Sequence, residues 1–302
     1  MRQHLIDLLV SLSCLALVAC GSEAGSGRPA LRFTAIPDSE KTELDLRFQP
    51  LAEYLERELG IPVEYVPTPD YSASVEMFKN GDVQLAWFGG LTGVQARAAV
   101  PGAHAIAQGA VDPRFRSYFI AHDLPPAEPD APFPVELLRG RRFTFGSRQS
   151  TSGRLMPEFF LRRETGVAPE DFFAEIGFSG SHDKTAELVN TGAFEVGVLN
   201  YLTYERLLDE GQVDAATCRV VWVTPEYADY NWTVHPDLDE AFGPGTTESL
   251  RSTLLSLEDA DLLAALQRPE GLIAAEDAAF QGIADVARTL GFLRDGTSPA
   301  AR

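Results

Sequence analysis

The run Arg142-Phe-Thr-Phe-Gly-Ser-Arg-Gln-Ser150-Thr151-Ser152-Gly153-Arg-Leu-Met156 sets three hydroxyls and a glycine where a β-rich segment gives way to a helix. The free N–H groups of a first helical turn, helped by the helix dipole and by Ser/Thr hydroxyls, hydrogen-bond a tetrahedral oxyanion without any Lys. The same residues also suit an ordinary helix N-cap, so the rest of the chain has to decide between the two. A hydrolase can be assembled on paper from Ser152, His182 and Asp183. No GxSxG elbow is present, however, and adjacent His and Asp side chains do not readily align as a relay, so no enzymatic activity is expected. No HExxH-like spacing appears, and no metal or other cofactor is expected.

The elements that must position these residues alternate. Leu31–Ile36 reads as a strand, and Phe48, Leu51, Ala52, Leu55 and Leu59 follow at helical spacing up to Gly60. Strand Ile61–Val66, a Pro-rich loop reaching Tyr71, a helix over Ser74–Lys79 and strand Val83–Phe88 come next, before Gly89-Gly90-Leu91-Thr92-Gly93 opens an Ala-rich helix. The style repeats with strand Arg142–Gly146, helix Lys184–Val189, strand Glu195–Leu199 and helix Tyr204–Leu208. This pattern predicts an α/β protein of two lobes, each a mixed, mainly parallel sheet flanked by helices, with a ligand cleft between them. The five prolines within Asp123–Pro134 mark the expected passage into the second lobe, and Val220–Tyr227 the return. The first lobe is thus expected to hold residues 31–122 and 228–293 and the second 123–227, with a disordered tail over 294–302. Ligands of open α/β sheets bind beyond the carboxyl ends of strands, which is where Phe88–Thr92 and Gly146–Gly153 fall.

The formal net charge is −19, which argues against nucleic acid and repels anions at long range. An anionic ligand must therefore be held by short-range donors. Arg139, Arg141, Arg142, Arg148 and Arg154 cluster in sequence near the cradle and are expected to offset the field there, or else to be solvated surface arginines. Residues 1–19 read as a processed export signal, with Arg2 ahead of an apolar run from Leu8 to Ala19 that is too short to span a bilayer. Leu17-Val18-Ala19-Cys20 resembles the lipobox of bacterial lipoproteins, which implies cleavage before Cys20 and its acylation; a plain secretory signal with an incidental cysteine is the alternative. Residues 20–30 then make a lipidated, flexible tether, leaving Cys218 without a disulfide partner.

Four segments, GDVQLAWFGG, FTFGSRQSTSG, FSGSHDKT and NTGAFEVGVLNYLTYE, stand in the order found in the solute-binding proteins of phosphonate/phosphite ABC importers, which the chain resembles over about residues 31 to 292. The wording AWFGGLTGVQAR and DYNWTV is similar to a subgroup labelled as selenate importers. The resemblance implies the type II periplasmic binding protein fold, with Ser150, Thr151 and Ser152 as oxyanion donors and Gly153 allowing close approach. It further implies His182 as a second-lobe ligand and Tyr71 reaching in from the first lobe. Asn200, followed by Tyr201, stands where phosphonate binders usually carry an acidic residue for an ammonium group, so aminoalkylphosphonates are disfavoured. Gly93 stands where the family has an aromatic residue. Phe88, Gly89, Gly90, Thr92, Asn231 and Trp232 complete the candidate lining, with Tyr230 as a possible wall and Trp87 read as core. The function implied is capture of a small tetrahedral oxyanion (selenate, phosphite or a small phosphonate) by a monomeric, lipid-anchored protein facing the periplasm or the outer side of the cell membrane. Its partners would be an ABC permease and ATPase. A lipoprotein sensor for a membrane kinase or chemoreceptor would share the same fold and pocket.

Overall fold

The computed structural model describes residues 29–128 and 131–294. The export segment with Cys14 and Cys20, most of the tether and the tail beyond Arg294 lie outside the described residues. The strands are β1 (Leu31–Ala35), β2 (Val63–Tyr65), β3 (Leu85–Phe88), β4 (His104–Gly109), β5 (Ser117–His122) and β6 (Arg142–Phe145). They continue with β7 (Glu175–Phe178), β8 (Val196–Asn200), β9 (Cys218–Val223), β10 (Asn231–Val234) and β11 (Leu272–Ala274). Two sheets result, ordered β11-β4-β10-β3-β1-β2 and β7-β6-β8-β5-β9. In the first, β2, β1 and β3 run parallel and β10 is antiparallel to β3 and β4. In the second, β7, β6 and β8 run parallel and β5 is antiparallel to β8 and β9.

These strands form because they can be covered on both faces. Every residue of β3 and of β8 is buried, the continuous apolar signature of a strand between helical layers. The helix Lys41–Leu59 turns Leu44, Phe48, Leu51 and Leu55 inward at three- and four-residue spacing and ends at Gly60, whose φ of 67° and N–H bond to the Glu56 carbonyl make a left-handed cap. It starts seven residues before the apolar spacing suggests, because its first two turns bury Leu44 and Arg47 among polar neighbours. Phe33, Phe48, Tyr65, Trp87 and Trp232 form the aromatic centre of the first lobe, with centroids 5.1–6.3 Å apart. In the second lobe Phe143 stacks on Phe173 at 4.2 Å and meets Phe119 at 5.9 Å and Phe145 at 4.6 Å.

One expectation is corrected. β5 belongs to the second sheet, so the chain leaves the first lobe between β4 and β5, through the short 3₁₀ turn Asp112–Arg114, and not in the proline-rich stretch after His122. The described part of that stretch instead lies beside β9, with Ala127 N–H donating to the Val220 carbonyl. Proline marks where a ladder cannot continue, which is not the same place as a lobe boundary. The chain returns after β9. The two crossings are stitched together by paired backbone bonds, Phe115 N–H to Tyr227 O at 2.9 Å and Tyr227 N–H to Phe115 O at 3.0 Å.

Phe143 is fully buried among three rings, so Phe143→Ala should lower unfolding free energy by about 3–5 kcal/mol. Urea unfolding measures this, and a loss under about 1 kcal/mol would show that the ring stack does not hold the second lobe together.

Candidate oxyanion-binding site

Helices begin at Tyr71, Gly90, His182 and Tyr201, and a helical turn at Thr151, and each of these residues lies at or near the interlobe cleft. Local sequence explains the starts. Asp70 accepts from Ala73 N–H at 2.8 Å, Ser150 from Gly153 N–H at 2.9 Å, Ser181 from Lys184 N–H at 3.3 Å and Asn200 from Thr203 N–H at 2.8 Å. Gly89 caps the remaining start, at Gly90, without a side chain. The turn Thr151–Leu155 is a π turn, with Leu155 N–H reaching back to the Ser150 carbonyl at 3.0 Å, before the helix Met156–Thr165 settles to α geometry. A π start leaves more opening amides without a carbonyl of their own than an α start does.

Ser150, Thr151 and Ser152 are buried, and the first lobe closes onto them. Leu91 N–H donates to Thr151 Oγ1 at 2.9 Å, and Gly90 N–H donates to Asp229 Oδ1 at 2.8 Å. Glycine is required where these parts meet. A Cβ on Gly89 would lie 3.1 Å from Thr151 Oγ1 and 3.3 Å from Asp229 Oδ1, and one on Gly153 would lie 2.9 Å from Ser150 Oγ and 3.2 Å from both Gly146 Cα and His182 Cε1.

The electrostatics of the space depend on three buried polar ends that have no protein partner: Tyr71 OH, His182 Nε2 and Asp229 Oδ2. Burial holds the Tyr71 hydroxyl well above its usual titration range, the Asp38 charge adds to this, and the nearby Ser150 hydroxyl opposes it, so the phenol is a neutral donor. Burial also pushes the His182 imidazole below its ordinary value, against the charges of Asp38 and Asp183. The ring is therefore neutral, and because its Nδ1 accepts from Asn200 N–H at 3.3 Å, the hydrogen resides on Nε2. Asp229 is pushed up to about 7 by burial, while Gly90 N–H and the neighbouring Thr151 and Ser152 hydroxyls oppose the shift without a well-formed bond to Oδ2. Two neutral donors, three hydroxyls and one carboxyl suit a small oxyanion that itself carries a hydrogen.

Other candidates are placed differently. The Phe88 ring packs on Phe78 at 5.6 Å in the core, and Thr92 turns its hydroxyl to the Gly89 carbonyl at 3.2 Å. Trp232 is core, and Asn231 is committed to Arg97, Thr233 and the Asp229 carbonyl. A Cβ on Gly93 would strike this Asn231–Arg97 pair at 2.8–3.0 Å, so an aromatic residue has no room there. Tyr201 packs on Phe115 and Tyr118. Asn200 is buried and spends its amide on a helix cap and on Tyr230 OH at 3.1 Å. The five arginines do not converge on the cradle. Arg141 and Arg142 pair with Glu195 at the far end of β6, Arg139 covers Phe172, Arg148 covers Phe178, and Arg154 lies on Phe145 with Glu158 at 2.7 Å. Sequence reasoning missed Asp229 and Asp38. Both stand at the edge of a strand facing the cleft, Asp38 beyond β1 and Asp229 just before β10, and that position is the signal that could have found them.

Two measurements follow. Gly153→Ala should displace the Ser150 cap and the His182 ring together, lowering Tm by several degrees and weakening any oxyanion at least tenfold; unchanged binding would mean the turn is only a cap. Asp229 has a folded value near 7 against about 4 unfolded, so the folded chain holds its proton more tightly. Its contribution to stability is full below about pH 4 and is lost as pH rises through about 7. The Tm of Asp229→Asn minus that of the native protein should therefore grow between pH 4 and 8, and a constant difference would rule out the shift.

Residues 33–280 match the family model described as ABC transporter, phosphonate, periplasmic substrate-binding protein. The chain is 42% identical over 252 residues, 83% of its length and 84% of the relative's, to a Prochlorococcus marinus protein named "Probable ABC transporter phosphite binding protein PhnD1". It is 27% identical over 268 residues, 81% of its own length and 80% of the relative's, to the phosphate-import protein PhnD of Mycolicibacterium smegmatis. The solved structure of P. marinus PhnD1 in complex with methylphosphonate superposes with a TM-score of 0.82 at 38% identity, covering 87% of this chain and 99% of that one. With fold and sequence in agreement, the chain belongs to the periplasmic substrate-binding proteins of ABC phosphonate transporters.

Proposed function

We propose that the chain captures a small phosphorus oxyanion, phosphite or methylphosphonate, between its lobes and delivers it to an ABC permease driven by its ATPase. Capture and release are the whole of its work, and no bond is made or broken. The observation that carries this reading is Asp229 Oδ2, buried and unpartnered beside the Thr151 and Ser152 hydroxyls. Phosphite and methylphosphonate lose their second proton near neutral pH, so each can bring a hydroxyl hydrogen to that oxygen. Selenate and sulfate are dianions that bring none, and they bind only by having Asp229 itself take up a proton. The names of the P. marinus relative and of its methylphosphonate complex support the same ligand class. In this reading the segment through Ala19 is removed on export and acylated Cys20 holds a monomeric body at the outer face of a membrane. Among the described residues no helix is long and apolar enough to cross one.

The test is titration calorimetry with phosphite, methylphosphonate, selenate and sulfate between pH 6 and 9. With one proton shared between ligand and Asp229, phosphite affinity should fall by about tenfold per pH unit above about pH 7. Asp229→Asn replaces the carboxyl with an amide that donates, so it should flatten that decline and narrow the gap to sulfate and selenate. Selenate binding the native protein more tightly than phosphite at pH 8 would overturn the assignment.

A further inference from the structure

Behind the cradle, four residues close a hydrogen-bonded ring across the two lobes. Tyr230 OH donates to Asp38 Oδ2 at 2.8 Å and accepts from Asn200 Nδ2 at 3.1 Å. Asn200 N–H donates to His182 Nδ1 at 3.3 Å, and His182 N–H donates to the Asp38 carbonyl at 3.0 Å. Asp38 and Tyr230 belong to the first lobe's side of the cleft; Asn200 and His182 end β8 and begin a helix in the second. Each direction in the ring is fixed. The Asn200 Oδ1 atom is occupied by Thr203 N–H, so the amide must present Nδ2 to Tyr230. Tyr230 is pinned by stacking on Trp87 at 5.4 Å and by the edge of Phe115 at 5.3 Å, and Asp38 Oδ1 is held by Arg47 at 3.4 Å.

We infer that Asp38 and Tyr230 are positioning residues for oxyanion binding, acting through Asn200 and His182 without touching the ligand. Within the second lobe Asn200 N–H orients the His182 imidazole, and the cross-lobe bonds from the His182 backbone N–H to the Asp38 carbonyl and from the Asn200 amide to Tyr230 fix where that imidazole stands relative to the first lobe. Docking of the lobes thus sets the position of Nε2 against a bound anion, and the hydrogen-bonded ring opens as the ligand is released. A second strut runs beside it. The helix Lys41–Leu59 lacks a side-chain cap of its own, and Asp183 of the other lobe, held by Arg206 at 2.6 Å, accepts its Glu40 N–H at 3.0 Å. The inference rests on the oxyanion reading for its ligand but not for the closure it describes.

The experiment uses Tyr230→Phe, which keeps the ring stack and deletes both hydrogen bonds, and Asn200→Ser, which keeps a helix-capping oxygen and removes the amide donor without adding charge. Each should weaken methylphosphonate by tenfold or more, chiefly through faster dissociation in stopped flow, with the ligand-free Tm within a few degrees of the native protein. The double variant should be no worse than the weaker-binding single, because both delete the same bond. Spin labels, one per lobe, should report a smaller closed fraction in Tyr230→Phe with or without ligand. Dissociation rates within twofold of native, or losses that multiply in the double variant, would overturn the positioning role. A native protein that binds no phosphorus oxyanion would sink the functional proposal instead, and the label distances would still decide the ring: an equal closed fraction in both proteins refutes it.

Discussion

An anion taken out of water must be met by dipoles already in place, and the proposed cradle would have to do so without a cation. The net charge of −19 and the commitment of the arginines to Glu195, Glu158 and aromatic faces leave the cradle to amides, hydroxyls and a neutral imidazole. Such donors are individually weak in water and strong only where water is excluded. Exclusion requires that strands end and helices begin at one place, which the two sheets achieve by pointing β1, β3, β6 and β8 at the cleft. In the proposed reading the buried Asp229 is the counterpart of that cradle, an acceptor among donors for a ligand carrying its own proton.

Much of this was legible in residue order. The βα units around Leu31–Leu59 and Val83–Ala99 could be read because strand and helix periods are strong there and glycine or proline follows close on each element. The hydroxyl run at Ser150–Gly153 was legible because capping chemistry is local, spanning three residues. That the first lobe would close onto it could not be read, since that depends on Leu91 N–H, sixty residues away, arriving at Thr151.

Other features were hidden for reasons of distance. β5 was obscured by the prolines that follow it, whose signal is strong but concerns the stretch beside β9. Asn200 drew attention as a ligand position, yet its buried amide is explained by Tyr230, thirty residues on. Asp38 looks like a strand terminator in the sequence and becomes meaningful only when the second lobe sets His182 N–H against its carbonyl. Polar residues that work between lobes carry no periodicity, and their partners are chosen by tertiary approach alone.

The stitched crossings at Phe115 and Tyr227 have a mechanical consequence. Two separate tethers would let the lobes shear, slide and rotate independently, whereas a pair bonded in both directions behaves as one short ribbon with a single bending axis. Motion about one axis brings every cross-cleft contact together or parts them all. In the proposed transport role such motion would give the outer surface two distinct outlines, so that a membrane partner could tell a loaded carrier from an empty one by shape without sensing the cargo.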